Sequence, residues 1–158
     1  MTTPQLELVR YLPYRLSVLA NLVSRAFAVL YAERFDLAIP EWRVLAVLGP
    51  AEPLSASEVC KRTAMDKVRV SRAVRSLLAS GLIGRGVSAD DKRRASLTLT
   101  ARGEEIYAEV VPLAHSVEAS LLETLSAAET SQLDGLLSKL QKRAAELSGP
   151  GFGASPYD

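Results

Sequence analysis

Between Tyr11 and Phe35 apolar residues recur at steps of three and four. Leu12, Leu16, Leu19, Val23, Phe27, Leu30 and Tyr31 fall on one stripe, which predicts an amphipathic helix. Pro13 suits its first turn, where no amide donor is lost. The stripe breaks from Asp36 to Ile39, and Pro40 opens a short helix through Trp42, Val44, Leu45 and Leu48 that Gly49-Pro50 ends. Ala51 to Leu54 is expected as a loop.

Ser55-Ala-Ser-Glu58 has the spacing of a capping box, so a helix starts near Ala56 and runs to about Thr63. Asp66 has the character of an N-cap for a second short helix, Lys67 to Ser80, closed by Gly81. Two short helices joined by a tight turn predict a helix-turn-helix. Leu82 to Ser88 and Ala95 to Thr100 then read as two strands, the second alternating Leu97 and Leu99 inward with Ser96 and Thr98 outward. Their connection, Ala89 to Arg94, is almost wholly charged, and a hairpin in this place predicts a wing.

Thr100 caps a long helix with Ile106, Val110, Leu113, Ala114, Val117, Leu121 and Leu125 on one face, and Pro112 is expected to kink it. Ser126-Ala-Ala-Glu129 is a second capping box, opening a last helix with Leu133, Leu136, Leu137, Leu140, Ala144 and Leu147. The expected fold is mainly α with a small β-hairpin wing. A dimerisation helix occupies 1–39, a winged helix-turn-helix 40–100, further dimerisation helices 101–148, and a Gly- and Pro-rich disordered tail 149–158.

Composition narrows the chemistry. With 48% hydrophobic and 23% charged residues in 158, the chain is of a globular type. The first thirty residues lack the pattern of a signal peptide, and no apolar run is read as approaching a membrane span, so a cytoplasmic location away from membranes is expected. One cysteine, Cys60, and one histidine, His115, offer neither a disulfide nor a metal cluster. Cys60 stands beside Val59 on a packing face and is read as a small core residue rather than a redox sensor. His115 sits on a leucine-rich helix with no nucleophile or carboxylate expected to partner it, and no phosphate loop or nucleophile motif occurs. No catalytic residue, metal site or cofactor is assigned, and no enzymatic activity is expected.

Charge distribution says more than the net value of +1. From Lys61 to Arg94 there are ten basic and three acidic residues, a net of +7, whereas the rest of the chain carries −6. At about 100° per residue, Val70, Ala73, Val74, Leu77 and Leu78 share one face of the second short helix. The opposite face collects Arg69, Arg72 and Arg75 around Val68, with Ser71 and Ser76 on its borders. Such a face suits a major groove, where arginine meets guanine edges or phosphates and an exposed valine meets a thymine methyl. Lys92, Arg93 and Arg94 suit a minor groove, with Asp91 orienting an arginine.

The segments MDKVRVSRAVRSLLASGLIGR and DDKRRASLTLTARG resemble the recognition helix and wing of the MarR family, and LSASEVCKRTA and IPEWRVLAVLG resemble its lead-in. The resemblance spans about residues 11 to 147. It implies a homodimer built from the first and last helices, reading a palindromic double-stranded DNA operator and acting as a repressor. By position it assigns DNA contacts to Val68, Arg69, Ser71, Arg72 and Arg75, and to Asp91 and Arg93 of the wing, while Lys67, Lys92 and Arg94 join the expected contacts by their charge. It further implies release by a small aromatic or phenolic carboxylate effector in a cleft, for which Tyr14, Arg15, Arg25, Trp42, Arg43 and His115 are the candidates. The dimer has a second argument, because the leucine-rich terminal helices exceed what a small winged-helix core covers. The rival reading is a winged-helix module that docks on protein instead of DNA, for which a mixed or apolar face is expected.

Overall fold

A computed structural model describes residues 6–50, 53–87 and 95–148. The chain divides into two compact units, residues 1–39 and 40–158. The first contains a 3₁₀ turn, Leu8–Arg10, and helix α1, Leu12–Phe35, with proline in its first turn as expected. Asp36 ends α1 in the left-handed region (φ 52°), which lets the Leu37 amide reach back to the Tyr31 carbonyl at 3.2 Å. Tyr31 and Leu37 are buried, and the ring of Phe27 lies 5.7 Å from that of Tyr31. Most of α1 is exposed. Its 24 residues, with a mean hydropathy of 1.3 over the best window, are long and apolar enough to cross a membrane by length and composition alone. This corrects the expectation that nothing approaches that length. The expectation looked for an unbroken apolar run, whereas Arg15 and Arg25 interrupt a helix whose average is still apolar.

The second unit holds α2 (Ile39–Leu48), β1 (Leu54–Ser55), α3 (Ala56–Thr63), α4 (Lys67–Ala79), β2 (Ile83–Val87), β3 (Ala95–Leu99), α5 (Ala101–Leu122) and α6 (Ala127–Ser148). The expected helices and both hairpin strands form. The segment expected as a loop before Ser55 instead contributes β1, which pairs antiparallel with β3 through Leu54 with Leu97 and Ser55 with Ser96. The sheet order is β1-β3-β2. Being central, β3 has neighbours on both sides, and Ser96, placed between Ser55 and Gly86, is 5% exposed. The outward alternation expected for Ser96 is therefore corrected: a short hydroxymethyl group on a flanked strand is shaded by its neighbours.

Val59, Val70, Ala73, Val74, Leu77, Leu82, Ile83 and Leu97 are buried, and α3 contacts α4, β1 and β3 while α4 contacts β2. Cys60 is half-buried rather than a core residue. The α4 helix ends in a Schellman motif: the amide of Gly81 (φ 73°) donates to Leu78 at 3.2 Å and that of Leu82 to Leu77 at 3.0 Å. Pro112 lies inside α5, which continues through it. The 149–158 segment, expected as a disordered tail, lies outside the described residues.

Candidate nucleic-acid interface

The helix-turn-helix begins with the expected capping box. Ser55 Oγ accepts from the Glu58 amide at 3.3 Å, and Glu58 Oε2 accepts from the Ser55 amide at 2.7 Å. Two of the orphan donors at that helix start are thereby used. Ala64 turns the chain in a left-handed conformation (φ 52°), and Met65 is buried beneath the turn. Asp66 then caps α4, accepting from the Arg69 amide at 2.9 Å.

The capping and the apolar pattern of α4 fix which way its cations point. Val70, Ala73, Val74 and Leu77 face the core at 5% exposure or less. Lys67, Val68, Arg69, Ser71, Arg72 and Arg75 are all exposed, Val68 to 60%. Val68 is thus an apolar side chain open to solvent among cations, available for contact with a thymine methyl. Arg69 Nε lies 3.4 Å from Asp66 Oδ2. Among the described residues, no ion pair joins Lys67, Arg72 or Arg75 to a carboxylate.

On the hairpin, Arg85 of β2 is exposed and pairs with Leu97 in register. The wing positions Asp91, Lys92, Arg93 and Arg94 lie outside the described residues. Beyond β3, Thr100 ties the helix start to the end of α4. Its amide donates to the Leu82 carbonyl (3.1 Å), its hydroxyl donates to the Gly81 carbonyl (2.7 Å), and its Oγ1 accepts from the Gly103 amide (3.1 Å), capping α5. Gly103 is pressed so closely on the Leu82 carbonyl that a Cβ there would overlap its oxygen. The start of α5 is thus seated on the end of α4. That joint was not read from the sequence beyond the Thr100 cap, because a glycine within a helix carries no local mark of a distant carbonyl.

The six candidate effector residues are distributed as follows. Tyr14, Arg15 and Arg25 are exposed on α1, Arg43 is exposed on α2, and Trp42 is half-buried. Trp42 stacks on Tyr107 of α5, with ring centroids 6.2 Å apart at 27°. Tyr107, absent from the sequence-based set, also lies over Gly49, where a Cβ would meet its ring. His115 is exposed, and its Nδ1 lies 3.4 Å from Glu118 Oε2. This corrects the expectation that no carboxylate would partner it: one helical turn brings position 118 beside 115. Among the described residues, no group of three or more His, Cys, Asp or Glu side chains is arranged to hold a metal ion.

Comparison with known proteins agrees with this architecture. The MarR family model matches residues 35–94. A crystal structure of a MarR/EmrR family transcriptional regulator from Acinetobacter sp. ADP1 is similar with a TM-score of 0.82 at 30% identity, covering 88% of this chain and 98% of that one. The HTH-type transcriptional regulator TtmR of Methylorubrum extorquens is 31% identical over 86% of this chain and 70% of its own length. The HTH-type transcriptional repressor Rv2887 of Mycobacterium tuberculosis is 28% identical over 82% of this chain and 91% of its own.

Proposed function

This chain belongs to the MarR family of winged-helix transcriptional regulators, which are DNA-binding proteins and not enzymes, and from that premise we propose that it is a cytoplasmic, homodimeric repressor reading a palindromic operator with α4. The observation that carries the proposal is the exposed face of α4, where Arg69, Arg72 and Arg75 surround Val68 while the opposite face is buried. Cations that neutralise phosphates supply affinity, and arginine and valine at base edges supply sequence preference. Lys92, Arg93 and Arg94 of the wing, with Asp91, add grip in the adjacent minor groove. The family's repressing mode is supported by the relative named a repressor.

Dimerisation is supported by apolar surface that a monomer leaves wet. On α1, Leu12, Leu16 and Leu19 are exposed, and on α6, none of whose described side chains is buried, so are Leu133, Leu136 and Leu140. We assign the apolar surface of α1 to a second copy of the chain rather than to a bilayer. Arg15 and Arg25 within it are costly in hydrocarbon but sit readily at the rim of a protein interface. Two copies of α4 about one DNA turn apart then match a palindrome. A small aromatic carboxylate is the effector class proposed.

Titration of a fluorescent duplex at several salt concentrations, beside sedimentation of the free protein, tests the reading. Steeply salt-dependent binding, a dimer, and selected genomic sites with two half-sites about one helical turn apart are expected. Absence of binding to any duplex at low salt would favour the protein-docking module instead. Calorimetry with aromatic carboxylates tests the effector, and no heat from any of them would remove it.

A further inference from the structure

Among the described residues, one of the three arginines on the outer face of α4 is held by a carboxylate. Asp66 grips Arg69 at two points: Oδ1 accepts from its amide at 2.9 Å, and Oδ2 lies 3.4 Å from its Nε. Both side chains stay largely in solvent, Arg69 at 69% and Asp66 at 59% exposure, so the carboxylate stands on the surface offered to DNA. For a surface that only neutralises phosphate, this carboxylate is a liability, because it repels every duplex alike.

We infer that Asp66 is a positioning residue that holds Arg69 for base recognition and exchanges general affinity for discrimination. The inference rests on reading α4 as the helix that enters the major groove. An unheld arginine swings to whichever phosphate is nearest and makes contacts independent of sequence. A contact at Nε restricts the side-chain torsions and leaves the two terminal nitrogens projecting. A guanidinium's paired N–H groups match O6 and N7 of guanine. Part of the ordering cost of a long side chain is then met before DNA arrives. An exposed ion pair contributes little to stability, so the bridge's value lies in orientation rather than in folding.

The capping and pairing roles of Asp66 are separable, since asparagine caps a helix as well as aspartate does but carries no charge. Asp66→Asn, Asp66→Ser, Arg69→Ala and the Asp66→Asn/Arg69→Ala pair are compared as full-length proteins. Each is titrated against the best selected site, its single-base variants and a random duplex. The uncharged caps are expected to keep the melting temperature and to bind random duplex about threefold tighter. They should lose about fivefold to tenfold of the preference at one base pair, the pair at which Arg69→Ala loses its own preference. In the Arg69→Ala background Asp66→Asn should lose nothing further at that pair. Unchanged preference in both uncharged caps, or a loss spread evenly over the site, would overturn the inference. A wild-type protein without preference among duplexes would overturn the DNA reading and the inference together, and it is seen before any variant is compared.

Discussion

Thr100 and Gly81, nineteen residues apart, are joined by a 2.7 Å hydrogen bond from the threonine hydroxyl to the glycine carbonyl. Together with the Thr100 amide on Leu82 and the contact of Gly103 against the same carbonyl, this bond closes the winged unit at the point where α4 ends and α5 begins. Gly103→Ala must push a methyl group into backbone, and we expect it to destabilise the protein by about 3 kcal/mol. Thr100→Val keeps the shape, loses both hydroxyl bonds, and should cost about 1–2 kcal/mol. Urea unfolding measures both, and an undiminished midpoint in Gly103→Ala would contradict the joint described.

Val68 and Arg72 share an exposed face but are expected to fail differently. Val68→Ser should erase the preference for thymine at one position by about 1 kcal/mol and leave the salt dependence intact. Arg72→Ala should weaken binding to all duplexes and lower the salt slope by about one unit if it meets a phosphate. A Val68→Ser protein that discriminates every base pair as before would remove the valine from the reading surface.

The capping box of α3 gives a stability prediction. Ser55→Ala removes the acceptor for the Glu58 amide and should cost about 1 kcal/mol. Ser55→Asp, which still caps, should restore most of it, and equal stabilities of all three by thermal melting would refute the assignment.

Tyr31 should ionise late. Burial pushes its phenol up to about 12 from the ordinary 10.0. Because the folded value is the higher one, the contribution to stability is complete below pH 10 and is lost as pH rises through about 12, the unfolded chain releasing its proton first. Ultraviolet titration should show a tyrosine component still un-ionised near pH 11, and Tyr31→Phe should delete it. A late component that survives in Tyr31→Phe would assign it elsewhere.

Helix starts were legible in the sequence because their chemistry is local. Ser55 with Glu58, Asp66, Thr100, and Ser126 with Glu129 each place acceptor and donor within one turn, and all of these caps form. The exposed and buried faces of α4 were legible for the same reason, since period alone separates Val70 from Val68. What stayed hidden depends on partners far along the chain. A two-residue strand such as Leu54–Ser55 has no period, and only the arrival of β3 makes it a strand. The burial of Ser96, the stacking of Tyr107 on Trp42 and the approach of Gly103 to Leu82 have that same non-local origin. The pairing of His115 with Glu118 is local, one helical turn apart on the polar flank of the apolar stripe, which the spacing of the leucines alone does not mark.

The placement of β3 between β1 and β2 means that the polypeptide after the wing is interleaved with the polypeptide before it. A protease that cut the backbone once between residues 88 and 94 would therefore release nothing. The two pieces would remain laced together by both ladders and by the Thr100 contacts, and would part only when the sheet itself comes undone. In this protein covalent continuity through the wing and structural continuity through the sheet are separate properties, and the second outlives the first.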